Sequence, residues 1–183
     1  MRFIETPLKG LYSIIEEPFV DKRGSFSRIL CMKEITKVKP DFSIAQISHS
    51  ITNDRGAIRG MHYQSAPMYE AKVVRCTRGA LFDVTVDLRE GSDTFLQWHG
   101  EVLTPVNNKM FLIPEGFAHG FQVLEEESEI LYIMSEFYKQ ELQRGIRYDD
   151  PLISIEWQIK PTVISDRDLS FPFLEKSFPG LKL

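Results

Sequence analysis

The constraint that most limits what this chain can become is the alternation in GALFDVTVDLREGS, Gly79 to Ser92. Ala80, Phe82, Val84, Val86 and Leu88 fall on one face of an extended segment, and Asp83, Thr85 and Asp87 on the other. A period of two puts successive side chains on opposite faces of a strand, so this is β-structure with one apolar and one polar side. Glu70–Thr77 reads as a second strand, joined to the first through Arg78 and Gly79 as a hairpin. The same punctuated pattern recurs in Phe42–Ile51, Trp98–Leu103, Lys109–Ile113, Phe117–Leu124 and Glu129–Tyr138. Asn53–Gly56, Asn107 with Asn108, and Pro114–Gly116 supply the turns. Nearer the start, Leu11–Val20 reads as a strand ending at Pro18, with a turn at Asp21–Gly24 and a short strand from Ser25 to Leu30. Cys31–Lys39 is the one early stretch of helical character, closed by Pro40. Short strands with a turn about every eight to twelve residues predict a closed or double-sheet architecture. The expectation is an all-β chain, a jelly-roll β-barrel with short helices near its ends, forming a single domain over residues 1–183.

A chain of 183 residues buries a substantial core without covalent staples. The apolar share of 43% and charged share of 26% are those of an ordinary globular protein. Net charge is −4 and no basic patch stands out, so a nucleic-acid partner is not expected. The longest apolar runs fall far short of the roughly 18 residues that cross a bilayer. MRFIETPLKG at the start lacks the apolar centre of a signal peptide. Cys31 and Cys76 make no disulfide framework and are flanked as core thiols are. The expected location is the cytoplasm, with no membrane partner.

The chemistry concentrates in RGMHYQSAPMYEAK, where Arg59, His62, Gln64 and Lys72 flank a turn at Pro67. Histidine alone has an unperturbed pKa that lets it exchange a proton near neutrality. Arginine grips phosphate with two parallel hydrogen bonds. Lysine stabilises an anion formed when the histidine removes a proton. Together they equip a site for proton abstraction from a phosphate-bearing substrate; the alternative is a hairpin with polar residues on its wet face. Arg59 and His62 differ by an odd number, so a regular strand would send them to opposite sides. For both to face one cavity, Gly60 must allow a bulge or kink.

PEGFAH, Pro114 to His119, looks like the second half of the cupin signature, which projects its histidine into a barrel. Metal-binding cupins usually add a His-x-His pair and a glutamate; the matching segment here is His62-Tyr63-Gln64, and Lys72 stands nearby. Zinc and iron sites need three or four N, S or carboxylate ligands. Two motif histidines and an amide fall short, so no metal is expected and the chemistry reads as metal-free acid–base catalysis. His49 and His99 read as surface or hydrogen-bonded core groups, leaving His62 and His119 as the candidates.

RGMHYQ, GALFDVTVDLREGS and FLIPEGFAHGFQVL together resemble the dTDP-4-dehydrorhamnose 3,5-epimerase family, and the resemblance runs from DKRGSF at Asp21 to ISDRD at Ile164. It implies a cytoplasmic, cofactor-free, homodimeric cupin that inverts C3, C5 or both of a nucleotide-linked 4-keto-deoxy sugar. His62 matches the family's general base, Asp168 the carboxylate that orients it, Tyr132 the proton donor and Lys72 the enolate stabiliser. Arg23, Gln46, Arg59 and His119 match substrate contacts, with Arg23 and Arg59 at the pyrophosphate. Tyr132 and Tyr138 have equal parity, so they are expected on one face.

Several substrate-contacting positions depart from the family pattern. Arg28 stands where the family has glutamate, Ser48 where it has asparagine, Gln143 where it has glutamate beyond Tyr138, and Arg167 replaces a lysine. A guanidinium donates where a carboxylate accepts, so a nucleotide other than dTDP, purine included, is an expectation here. The alternatives are an epimerase confined to one carbon, or a ketoisomerase, on such a nucleotide sugar. From other classes come a non-catalytic sugar-nucleotide-binding cupin and a metal-dependent oxygenase, which Gln64 disfavours.

Overall fold

The computed structural model describes all residues from Met1 to Leu183. Its strands are β1 (Arg2–Glu5), β2 (Tyr12–Ile15), β3 (Phe19–Asp21), β4 (Gly24–Phe26), β5 (Gln46–Thr52), β6 (Ile58–Gln64) and β7 (Lys72–Arg78). They continue as β8 (Leu81–Asp87), β9 (Trp98–Leu103), β10 (Lys109–Ile113), β11 (Phe117–Val123), β12 (Ser128–Met134) and β13 (Gln143–Gly145). Two antiparallel sheets, ordered β1-β2-β10-β7-β12-β5 and β13-β6-β11-β8-β9, face each other as a jelly-roll barrel, and β3-β4 stands apart as a small hairpin. Helices α1 (Met32–Ile35) and α2 (Asp166–Leu169) are single turns toward the two ends of the chain. No helix is long and apolar enough to cross a membrane.

Apolar residues collect in three layers. Val74, Cys76, Phe111, Ile113 and Ile130 of the first sheet meet Leu81, Leu103, Phe121 and Val123 of the second between the sheets. Alternate residues of those first-sheet strands, Val73, Met110, Leu112 and Ile133, pack outside with Ile35 and Phe42. Phe82, Val84, Val86 and Leu88 lie outside the second sheet, with Ile153, Trp157, Leu174 and Phe178 against them. The alternation in β8 is therefore as read from the sequence, but its apolar side faces away from the barrel. Leu81, Asp83, Thr85 and Asp87 point inward, and β8 is buried on both faces because the C-terminal segment covers it. Burial of apolar area at about 25 cal/mol per Å² makes that cover a major source of stability.

The boundaries shift where local chemistry intervenes. Leu11–Val20 divides into β2 and β3, since Pro18 has no N–H to continue a ladder. Ser25–Leu30 shortens to the end of β4, and the helix expected over Cys31–Lys39 keeps one α-turn followed by hydrogen-bonded turns at Val38 and Lys39. The short edge strands β1 and β13 have no marked period in the sequence to announce them.

Glu101 joins the sheets along one seam. On β9, it lies 3.3 Å from His99 Nε2 and accepts from Lys109 Nζ of β10, in the facing sheet, at 2.6 Å. Those partners, His99 first, overcome burial and hold its carboxyl down at about 2, against an ordinary 4.5. A depressed carboxyl stabilises the fold above its unfolded pKa and loses that contribution as pH falls toward the folded value. Glu101→Gln is expected to lower unfolding free energy by about 3 kcal/mol at pH 7. Urea titrations should show the difference from wild type halved by roughly pH 3; a pH-independent difference would mean that the charge contributes nothing.

Candidate active site

The bulge demanded by parity is present. His62 pairs with His119 and Arg59 with Phe121, so three steps along β6 match two along β11. Gly60, within the bulge, has φ +118°, and a Cβ there would sit 2.6 Å from Gly120 Cα. Only glycine fits both the backbone angle and the approach of β11. The extra residue turns Arg59 and His62 toward a common cavity.

A bulge leaves a ladder N–H unpaired, and here Asp168 takes it. Asp168 Oδ2 accepts from Gly60 N–H at 3.1 Å, while Oδ1 lies 2.7 Å from His62 Nε2. An ionised carboxylate only accepts, so His62 carries its proton on Nε2 and its lone pair on Nδ1. Burial pushes the Asp168 carboxyl up, but the hydrogen bond and charge of His62, with Gly60 N–H and Ser165, hold it below its ordinary value. Ser165 caps the turn of α2 by accepting from Asp168 N–H. Ile58 N–H donates to Val163, which fixes this segment beside β6. Phe171, farther along, meets the His62 ring edge-on at 5.8 Å between centroids.

From the opposite sheet come Lys72 on β7 and Tyr132 on β12, both turned inward. A 220 Å³ cavity is lined by His62, Lys72, His119 and Tyr132 together with Arg59 and Glu70. A second cavity of 470 Å³ shares Arg59, His62 and Tyr132 and adds Arg167 and Asp168. Burial pushes the Tyr132 phenol well above its ordinary value, so it is a protonated donor at neutrality. His119 Nε2 lies 2.9 Å from Asp83, and its ring meets Tyr132 edge-on at 6.3 Å. Burial raises the Asp83 carboxyl, with His119 and Lys72 pulling the other way.

The remaining expected residues divide into two groups. Tyr138 and Gln143 line the smaller cavity, Gln143 accepting from Arg167 at 2.7 Å. Tyr138 lies beyond the end of β12, so strand parity does not govern it, yet it lines the same cavity as Tyr132. Gln46 Oε1 accepts from Tyr138 N–H, and Gln46 and Ser48 sit along the inner side of β5. Arg59 is anchored by Thr52 and the Ile51 carbonyl. Arg23 and Arg28 stand elsewhere, beside Phe19 and Phe26 of the hairpin; Arg23 pairs with Asp21 and Arg28 with Glu34. Gln64 is occupied structurally, donating to the Met68 and Phe137 carbonyls and accepting from Lys139. No three His, Cys, Asp or Glu side chains converge as metal donors. Sequence reading missed two cavity-region acids, Asp83 and Glu70. The available signals were the place of Asp83 on the polar side of the β8 alternation and the position of Glu70 two residues before Lys72.

Comparison with known proteins gives a consistent result. The family model described as dTDP-4-dehydrorhamnose 3,5-epimerase matches residues 5–176. The dTDP-4-dehydrorhamnose 3,5-epimerase of Pseudomonas aeruginosa is 45% identical over 159 residues, 85% of this chain and 87% of that one. The crystal structure of the Bacillus anthracis dTDP-4-dehydrorhamnose 3,5-epimerase, with TDP and pyrophosphate bound, has a TM-score of 0.91 at 33% identity, covering 94% of this chain and 99% of that one. The Legionella pneumophila dTDP-6-deoxy-D-glucose-3,5-epimerase, in complex with dTDP-4-keto-L-rhamnose, has a TM-score of 0.88 at 33% identity, covering 100% and 92%.

Gly60→Ala is expected to destabilise by roughly 2–4 kcal/mol, because it adds a clash with β11 to the positive-φ penalty. Gly91→Ala, at φ +72° with nothing near its Cβ, is expected to cost only about 1 kcal/mol. Equal losses in chemical denaturation would show that close approach at the bulge is unimportant.

Proposed function

The chain belongs to the dTDP-4-dehydrorhamnose 3,5-epimerase family, and on that premise we propose that its facing sheets supply the base and acid that invert C3 and C5 of a dTDP-linked 4-keto-6-deoxy sugar. It is an epimerase of deoxysugar nucleotide biosynthesis. The observation carrying the residue assignment is that His62 and Tyr132, from opposite sheets, line the same two cavities. A sugar ring held between them offers one face to each.

A ketone at C4 acidifies the hydrogens on C3 and C5, since either carbanion delocalises onto O4 as an enolate. His62 Nδ1 removes the proton, and Asp168 stabilises the imidazolium through Nε2. Lys72 donates to O4 as negative charge develops there. Tyr132, held protonated by burial, returns a proton to the other face. Each such group contributes about 10²–10⁴ in rate. Carbon enters and leaves with the same oxidation state, so the cycle calls for no redox cofactor.

Arg59 and Arg167 flank the larger cavity and are assigned to the diphosphate, with His119, Gln143 and Tyr138 toward the sugar and Gln46 and Ser48 toward the nucleoside. The relatives favour dTDP, and within its own chain Arg28 pairs with Glu34, away from the two cavities that hold His62 and Tyr132. Homodimerisation is part of this reading. Phe19, Val20 and Phe26 of the hairpin are 68%, 69% and 77% exposed, and edge strand β5 presents Ile47 at 61%. A two-stranded hairpin with apolar residues in water is marginal alone. Docked on β5 of a second copy, it would bring Arg23 and Arg28 to that copy's substrate. Nucleotide sugars do not cross membranes unaided, and the cytoplasm is the assigned location.

With a dTDP-4-keto-6-deoxy sugar in D₂O, His62→Ala is expected to abolish deuterium entry at both carbons. Tyr132→Phe should retain exchange while inversion falls by at least about 10². Exchange persisting at either carbon without His62, or wild-type inversion without the phenol, would reassign the base or the acid. Phe19→Ser with Phe26→Ser should shift sedimentation from dimer to monomer; a wild-type monomer would remove the trans contribution.

A further inference from the structure

The 220 Å³ cavity contains a carboxylate to which the mechanism gives no task. Glu70 has a side chain only 6% exposed, and its Oε1 lies 2.6 Å from Lys72 Nζ. Lys72 is its sole protein partner, and the other oxygen receives no backbone or side-chain donor although the residue lines the cavity with His62 and Tyr132. An ionised carboxylate has about four acceptor sites, and those that Lys72 leaves free open to the cavity, where water or a bound ligand can donate to them. A substrate that fills the cavity displaces that water and is placed to supply the donor itself. A keto-deoxy sugar offers only hydroxyls.

Which hydroxyl follows from Lys72, given the reading above that its ammonium donates to O4. The C4 carbonyl has two neighbouring ring carbons. C5 carries the C6 methyl group, so the only hydroxyl vicinal to the ketone is on C3, within hydrogen-bond distance of O4. The Lys72–Glu70 pair presents a donor and an acceptor at the same close spacing. O4 is an acceptor, and O3–H is a donor.

We propose that Glu70 is a substrate contact that accepts a hydrogen bond from the C3 hydroxyl, and that it supports inversion at C3 more than at C5. When C3 loses its proton the carbon flattens, and O3 moves through the plane of the enolate beside O4. The carboxylate holds O3 through that change while Lys72 holds O4. Inversion at C5 displaces a methyl group that neither residue touches. Glu70 also matches the charge of Lys72, so the cavity meets the neutral ketone without an unpaired cation.

The test measures deuterium entry at C3 and C5 separately, by NMR, for wild type, Glu70→Gln and Glu70→Ala on a dTDP-4-keto-6-deoxy sugar. Thermal melts check folding. Loss of a hydrogen bond to a charged group corresponds to about 10-fold or more, so Glu70→Ala is expected to slow exchange at C3 by at least about tenfold relative to C5. Glu70→Gln, which keeps an acceptor oxygen, should fall between. Equal slowing at both carbons would show that Glu70 acts only through Lys72, and no slowing would show no contact; either overturns the proposal. Should the variants fail to fold, binding by wild type decides. A substrate analogue lacking the 3-hydroxyl should bind about tenfold more weakly than one lacking the 2-hydroxyl, and equal binding overturns the contact. A wild-type protein that exchanges neither carbon sinks the epimerase reading itself, and the Glu70 contact with it, a result distinct from the others.

Discussion

The buried carboxylate of Asp168 connects the backbone irregularity of this barrel to its chemistry. One oxygen accepts the N–H that the β6 bulge releases from the ladder, and the other holds the imidazole that the bulge turns inward. Neither bond stands well without the other. An unpaired N–H at Gly60 would carry a desolvation cost of about 1–3 kcal/mol, and a buried charge stripped of its partner costs about 3–5 kcal/mol. The C-terminal segment delivers this residue through the Ile58–Val163 hydrogen bond, the Ser165 cap and the Phe171 ring against His62. Gly145 on β13 leaves room for that ring, since a Cβ there would overlap it.

A barrel lined with charged and polar groups has to bury its apolar surface elsewhere. The space between the sheets holds Lys72, Asp83, Thr85 and His119 beside its apolar cluster. Two further apolar layers outside the sheets make up the difference, one under α1 and its flanking turns, the other under the C-terminal segment. The same C-terminal cover thus stabilises β8 and carries Asp168 to the site. Fold stability and the orientation of His62 are coupled through one stretch of chain.

Charge inside the cavity region is balanced by pairs. Lys72 faces Glu70, His119 faces Asp83 and His62 faces Asp168. Such pairing keeps the desolvation of each ion tolerable. Arg59 and Arg167 have no carboxylate partner, and they are the cations that the proposed function gives to the diphosphate. On the same proposal the paired groups meet only the transient charge of an enolate, which a preorganised donor stabilises most effectively in low dielectric.

The period-two patterns were enough to place the main strands, because alternation follows from backbone geometry and is written locally. His62 and His119 were legible from their motifs, and the need for a bulge at Gly60 followed from parity alone. Tyr132 was legible only through family resemblance, since a tyrosine in an apolar strand looks like core. Alternation does not say which side of a strand faces inward. That sign was set for β8 by the C-terminal segment, which made the apolar side the outer one and left Asp83 within the barrel. Asp83 and Phe171 acquire meaning only through neighbours distant in the chain, His119 and His62. The His62–Asp168 bond spans 106 positions, and its geometry depends on the closing of the barrel, where packing rather than local preference decides which side chains meet.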